Sequence, residues 1–357
     1  MDVLAEITGI QYSPFLCRDL NTYPIKRLEK AMTTDGTFIL NTDKKNQIAL
    51  SWWVSAKRTR SYPYARIYDS LSFQGKRVTT IPIVKDEGLE GDRDFLQWDT
   101  ISLMSLLGIY TIVSFYSDAE RSSRYRHKIT KQRFDLAYLK KEIESLLSYQ
   151  SDALHWNLAQ IEEVGDIGQR ALGAYSKISK KLKVEMHSKK SAEKRIQELL
   201  KGKETFMALS RKLSKEAQHR ESVTVQPKEK LSGIKATLTI KNYLGGYYYF
   251  TSDEVRIEGS TIYLIEDKNS KKSLIPSLED IKDGLVKMIL FTNLKNVKIG
   301  NTGYTPKPLL KLTSNMKFSA QSLKKTQVDN LRVLKKEASE NGFRVLINDT
   351  DLHQIQI

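Results

Sequence analysis

Thr251-Ser252-Asp253-Glu254-Val255-Arg256-Ile257-Glu258-Gly259-Ser260-Thr261-Ile262-Tyr263-Leu264-Ile265-Glu266-Asp267-Lys268-Asn269-Ser270 is the stretch whose reading decides the fold. Gly259-Ser260 separates two short runs rich in apolar and β-branched residues, the pattern of a tight hairpin. In the second run a period of two puts Ile262, Leu264 and Glu266 on one face and Tyr263, Ile265 and Asp267 on the other, with Lys268 beside Glu266. Apolar residues on both faces suit a central strand of a mixed sheet. A carboxylate and an ammonium then project together from a buried strand end, where charge is costly unless it is paired or metal-bound.

Those groups suit phosphodiester hydrolysis. Asp253 and Glu266, from neighbouring strands, are candidate oxygen ligands for a hard divalent cation, and Mg²⁺ fits better than zinc because no imidazole or thiolate accompanies them. Lys268 is then placed to activate water or to neutralise charge on the phosphate in the transition state. Glu254 competes with Asp253 for the first ligand position, and strand alternation sends the two to opposite sides. Glu198 and Glu204, on a helical stretch upstream, are weaker candidates for an outer acid. The plainer alternative makes Asp253 and Glu254 turn residues and Glu266–Lys268 a solvated strand end.

The same residues resemble the PD-(D/E)xK nuclease superfamily: an acid before an apolar strand, a hairpin, a strand ending Glu-x-Lys, then a helix. Ser252-Asp253 stands where that family often has Pro-Asp, so the proline is missing, and Ile262-Tyr263-Leu264-Ile265-Glu266-Asp267-Lys268 supplies the second element. The resemblance extends over about residues 193–312. It implies Asp253, Glu266 and Lys268 as catalytic residues, Asp253 and Glu266 as metal ligands and Mg²⁺ as cofactor. Likeness to the type II restriction enzymes within the superfamily further implies site-specific cleavage of double-stranded DNA in bacterial defence, often by a homodimer.

Working outward, Pro276 announces a helix over 277–291, and strands follow near Val297 and over 309–312. Helix and strand over 323–340 and 343–347 end the chain. Upstream, strands are expected over 235–243, 247–250, 254–258 and 261–266, after a break at 221–230 marked by Pro227. Apolar spacings of three and four make 136–220 helical, in segments near 136–147, 158–182 and 191–219. The first 135 residues read as mixed α/β, with strands over 37–40, 48–54, 76–84 and 109–115 and a helix over 96–107 closed by Gly108. The expected fold class is therefore α/β: an N-terminal α/β region (1–135) suited to DNA recognition, a helical connector (136–220) and a mixed-sheet, restriction-endonuclease-like core (221–357).

Two other regions carry charge. Lys57, Arg58, Arg60, Tyr62 and Arg66, beside Trp52-Trp53, form a basic and aromatic loop suited to DNA, although paired tryptophans on a strand more often pack in a core. A second basic stretch, 121–133, has Tyr125 interleaved. A rival acidic centre is 77–99, where Asp94, Asp99 and the nearby Asp69 offer carboxylates. Lys85 precedes its acids, so Glu-x-Lys spacing is missing, and Asp94 and Asp99 also read as helix N-terminal carboxylates.

Composition narrows the class. The 357 residues carry a formal net charge of +16, which favours a polyanionic partner. The one cysteine, Cys17, excludes an internal disulfide and a thiolate-rich zinc site. The absence of a long apolar run and of a basic, signal-like N-terminus points to a cytoplasmic protein. Two alternatives remain beside the restriction enzyme: a repair or RNA nuclease of the same superfamily, and a non-catalytic DNA-binding protein whose acidic cluster is incidental.

Overall fold

The decisive stretch folds as a hairpin. Tyr247–Glu258 runs antiparallel to Thr261–Ser270, with Glu258 opposite Thr261 across the two-residue turn. Gly259 takes φ of +58°, which is cheap only without a side chain. Thr261–Ser270 then pairs in parallel with Thr305–Ser314, and helix Leu278–Phe291 makes the crossover such a pair requires. The Ser277 hydroxyl accepts the amide of Asp280 at that helix's start, and Glu279 and Asp280 lie in its positive first turn.

The computed structural model of the chain describes residues 1–42, 46–57, 62–200, 234–242 and 247–356. It is a mixed α/β protein that divides into two units, one of Met1–Arg18 with Lys212–Ile357 and one of Asp19–Arg211.

The first unit is built on a nine-stranded mixed sheet. Its strands run in the order Thr302–Gly303, Lys295–Ile299, Asp2–Ile7, Ile234–Asn242, Tyr247–Glu258, Thr261–Ser270, Thr305–Ser314, Arg344–Ile347, Thr350–Asp351. The expected strands over 247–250 and 254–258 are one continuous strand. The N-terminal strand is a feature the sequence reading did not identify: Val3, Ala5 and Ile7 are buried, and Asp2–Ile7 pairs in parallel with Ile234–Asn242. Glu337, fully buried on helix Lys325–Asn341, fixes the segment after that strand by accepting the Tyr12 hydroxyl at 2.6 Å and the Phe15 and Leu16 amides at 2.9 Å. The helix Leu278–Phe291 lays Leu285 and Ile289 into a core shared with Leu264 and Leu310.

The second unit has a five-stranded sheet in the order Thr22–Pro24, Thr37–Asn41, Gln47–Trp52, Lys76–Pro82, Tyr110–Ser114. Its helices include Leu136–Ser148, Ala153–Glu162, Val164–Leu182 and Lys189–Leu200. Part of the stretch expected as a helical connector covers this sheet. Asn157 and Gln160 accept the Thr111 and Val113 amides at 2.7 and 3.1 Å, so a helix satisfies the outer edge of Tyr110–Ser114 with side chains instead of another strand. The units divide at 18/19 and 211/212, where the sequence suggested breaks at 135 and 220.

Two local expectations differ. The supposed loop over 57–66 gives way to helix Pro63–Ser70, with the proline at its start where no amide partner is needed. The expected helix over 158–182 is broken at Glu163 into two. Gly108 closes helix Trp98–Leu106 with φ of +65°, as its position suggested. Among the described residues no helix is long and apolar enough to cross a membrane.

Candidate active site

Glu266 leaves its strand on the face covered by helix Leu278–Phe291 and is 1% exposed. A carboxylate so deep needs charge partners, and it has two: the ammonium of Lys268 at 2.9 Å and that of Lys287 at 2.5 Å. Lys268 also reaches Asp283 at 2.6 Å, and Lys287 donates to the Thr251 carbonyl at 3.1 Å. The result is a chain of alternating charge, Asp283–Lys268–Glu266–Lys287, with a formal sum of zero. Strand periodicity supplies its middle pair and one turn of helix, residues 283 and 287, supplies its ends. The Lys287 ammonium lies 5.7 Å from the centre of the Phe250 ring, a further favourable contact for a cation.

Gly284 makes room for this arrangement. A Cβ there would lie 2.7 Å from Leu310 Cδ1 and 3.3 Å from Lys268 Cε, so the lysine stem passes where a larger residue would push it aside.

Asp253 reaches the same strand end by a bulge. Ser252 is opposite Ala236 while Val255 is opposite Ile234, so Asp253 and Glu254 together face the single residue Lys235. The Ser252 hydroxyl ties the bulge down, reaching the carbonyls of Ile265 and Glu254, both at 2.9 Å. Asp253 Oδ2 accepts the amide of Asp267 at 3.0 Å, the peptide that follows Glu266. Glu254 is buried and pairs with Arg256 at 3.0 Å. Of the two competing acids, Asp253 is the one brought against Glu266's strand end.

Asp267, between Glu266 and Lys268 in sequence, lies on the other face and accepts the Thr313 hydroxyl at 2.9 Å. Burial pushes its carboxyl up to about 6, with the neighbouring Asp253 charge in the same direction and the Thr313 hydrogen bond opposing.

The donors suit a hard cation: carboxylate oxygens, with neither imidazole nor thiolate. Among the described residues no group of three or more His, Cys, Asp or Glu is arranged to hold a metal ion. Mg²⁺ commonly takes one or two carboxylates and completes its shell with water and substrate phosphate, which leaves Glu266 and Asp253 as the two candidate protein ligands. Both ends of the Glu266 carboxylate, however, are already in contact with an ammonium.

The expected DNA-contacting residues fare differently from one another. Arg58 and Arg60 lie outside the described residues. Lys57 is exposed along its stem but its ammonium meets the buried Asp94 at 2.6 Å. Tyr62 is half exposed. Arg66 donates to the Trp52 carbonyl at 2.6 Å and stacks over the Trp52 ring at 4.3 Å, which engages its guanidinium within its own unit. Trp53 packs edge-on to Tyr64, a core role. In the 121–133 stretch, Arg133 meets Asp118 and Glu120, and Lys131 meets Glu120.

At the rival centre Asp94 takes the Ser55 hydroxyl at 2.8 Å, Glu87 is paired with Lys85 and Lys128 at 2.6 and 3.1 Å, and Asp86 holds His187 Nδ1 at 2.8 Å. Asp69 is buried on helix Pro63–Ser70. The side chains of Asp99 and Glu198, and Glu204 altogether, lie outside the description. Asp283 and Lys287 were missed by sequence reasoning, yet they leave a legible signal: two charges four apart, flanking Gly284, on an otherwise apolar helix face just after Glu-x-Lys. No family model, curated protein or solved structure matches the chain.

Proposed function

We propose that the chain is a Mg²⁺-dependent, site-specific endonuclease of double-stranded DNA, a type II restriction enzyme of the PD-(D/E)xK kind. The observation that carries this reading is the buried Glu266–Lys268 pair at a strand end, with Asp253 delivered by a bulge from the adjacent strand. Support also comes from the strand path of the first unit. A meander of three antiparallel strands is followed, apart from the inserted strands Lys295–Ile299 and Thr302–Gly303, by helix, parallel strand, helix and parallel strand, a path compatible with a restriction-endonuclease-like core. The net charge of +16 suits a phosphate-rich substrate.

When bound, the cation supplies a Lewis acid for the scissile phosphate and acidifies a water molecule. The residues of the chain do the rest. Glu266 and Asp253 would hold the cation, and Lys268 donates hydrogen bonds to oxygen atoms that gain charge as water attacks phosphorus and the leaving oxygen departs. Asp283 holds the Lys268 ammonium from behind and so fixes its direction. The recognition role falls to the second unit and its exposed Lys57 and Tyr62, and a homodimer reading a palindrome is the natural assembly for double-strand cleavage.

The deciding experiment is incubation of supercoiled plasmid with Mg²⁺, followed by mapping of the ends. Discrete ends are expected from the natural chain, with none from Glu266→Gln or Lys268→Ala and DNA affinity retained in both. Full cleavage by either variant dismisses the site. Plasmid methylated by a companion methyltransferase should resist cutting. Equal cutting of methylated and bare plasmid favours a repair nuclease. DNA binding that persists in EDTA without any Mg²⁺-dependent nicking favours a non-catalytic binder.

A further inference from the structure

The alternating chain raises a question that the proposed chemistry leaves open: how a cation enters a carboxylate already held by two ammonium groups. Glu266 and Lys287 are both almost wholly excluded from solvent, and their 2.5 Å contact lies between strand and helix, with Thr251 and Phe250 completing the lysine's surroundings. Lys268 is differently placed. It is more accessible, and Asp283 balances its charge independently of Glu266. Removing Lys268 from Glu266 would still leave it paired. The balancing partner of Lys287 is Glu266, and its other contacts are a neutral carbonyl and a ring face.

The four side chains sum to zero and Asp253 adds one negative charge, so a divalent cation brought onto Glu266 leaves an excess of one positive charge in a poorly screened interior. A phosphate diester brings one negative charge back. Cation binding without DNA is therefore opposed chiefly by Lys287, whose charge has nowhere else to be neutralised.

We propose that Lys287 is a displaceable counter-ion that holds Glu266 in the cation-free protein and yields that contact to a divalent cation, so that it acts as a gate on cation loading. This rests on the nuclease reading of the same site and adds a positioning residue to it. The gate makes the centre bind cation weakly until a phosphate arrives, which couples loading to substrate. A buried ion pair that served only to hold strand and helix together would have no such effect on cation affinity.

The test uses the full chain without DNA, titrated with Mn²⁺ and followed by the electron paramagnetic resonance of the free ion. Lys287→Met, which keeps the volume and removes the charge, should bind Mn²⁺ roughly tenfold more tightly than the natural chain, the scale expected for one nearby charge in a partly screened interior. Lys287→Arg, which keeps the charge, should stay within about threefold of the natural chain on the same electrostatic reasoning. Glu266→Gln should lose the site. Unchanged or weaker binding by Lys287→Met, with binding lost in Glu266→Gln, overturns the gate and leaves the nuclease reading standing. Glu266→Gln titrating like the natural chain removes the reading and the gate together. The unmutated protein gives a second check should Lys287→Met not fold: in lysine side-chain nitrogen NMR the Lys287 ammonium signal should move on saturation with Mg²⁺. A signal that stays fixed overturns the proposal.

Discussion

Replacing Gly284 by alanine tests whether the helix positions Lys268, because the change adds one methyl group and touches no charge. That methyl would meet Leu310 Cδ1 at 2.7 Å and Lys268 Cε at 3.3 Å, so both must move by some tenths of an ångström. Cε is one bond from the ammonium that reaches Glu266 at 2.9 Å and Asp283 at 2.6 Å, so the shift passes directly to the group proposed to act on the phosphate. On stability, alanine gains about 1 kcal/mol over glycine inside a helix, while overpacking a core costs about 1–3 kcal/mol. The net loss is then about 0–2 kcal/mol by the same figures, and the protein stays folded. Activity should suffer more, since misplacing a catalytic group by about 1 Å can cost about a hundredfold. We expect single-turnover plasmid cleavage at saturating Mg²⁺ to slow about 10- to 100-fold, with urea unfolding shifted only slightly. Gly173 is the control: it is exposed on helix Val164–Leu182, and a Cβ there meets nothing within 4 Å. Gly173→Ala should gain about 0.5–1 kcal/mol of stability and cleave normally. Gly284→Ala cutting at the natural rate, folded and saturated with cation, would refute the claim that this close approach aims Lys268.

Three further outcomes follow from other parts of the molecule. Glu337→Ala leaves the Tyr12 hydroxyl and the Phe15 and Leu16 amides without their acceptor, which should cost about 2–4 kcal/mol in chemical denaturation; a loss under about 0.5 kcal/mol would show that water replaces it freely. Asp118 is held down to about 2, chiefly by Lys181 and Arg133, so its stabilising effect is fully present above its unfolded value near pH 4 and disappears as pH falls through about 2. Because that side chain is 33% exposed, Asp118→Asn should cost only about 1 kcal/mol at pH 7 and much less at pH 2, and an equal loss at both pH values would contradict the pairing. DNA affinity should fall steeply with salt, log K declining linearly with log salt concentration; a flat response would argue against phosphate contacts.

The strand end was legible because its information is local. Alternation alone put Glu266 and Lys268 on one face, and the Gly259-Ser260 turn fixed the register that sets Glu254 opposite Ile265. The bulge was not legible, because it depends on how Tyr247–Glu258 meets Ile234–Asn242, a pairing between strands whose mismatch by one residue leaves no mark on either sequence. Asp283 and Lys287 were hidden for a related reason: charges on a helix read as its solvated side until the sheet beneath presents opposite charges to them. The helix Pro63–Ser70 was masked by its basic flank, although Pro63 at its first position is a start signal. The N-terminal strand was overlooked because six residues, Asp2–Ile7, are too few to stand out before their partner strand Ile234–Asn242 is known.

The two units also bear on why the proposed chemistry is assigned to one of them. Both contain an antiparallel strand pair followed by helix, parallel strand, helix and parallel strand, Tyr247–Glu258 through Arg344–Ile347 in one and Thr37–Asn41 through Tyr110–Ser114 in the other, each with a further antiparallel pair inserted: Lys295–Ile299 with Thr302–Gly303, and Val84–Asp86 with Arg93–Phe95. The comparable strand end in the second unit is Trp52-Trp53, where one indole lies under Arg66 and the other packs on Tyr64. Rings that fill a core offer no oxygen to a cation. Two residues further on, Ser55 and Lys57 converge on Asp94, a carboxylate that comes from a distant loop strand and is closed off by the contacts it makes. In the first unit the carboxylate is on the strand itself, its partner lysine follows two residues later, and a second acid arrives from the adjacent strand with an edge still accessible. The path of the chain is shared. The two strand ends differ in which side chains stand where the strand stops: Ile265-Glu266-Asp267-Lys268 carries acid and ammonium two residues apart on one strand, whereas Lys57 meets an acid that comes from elsewhere in the chain.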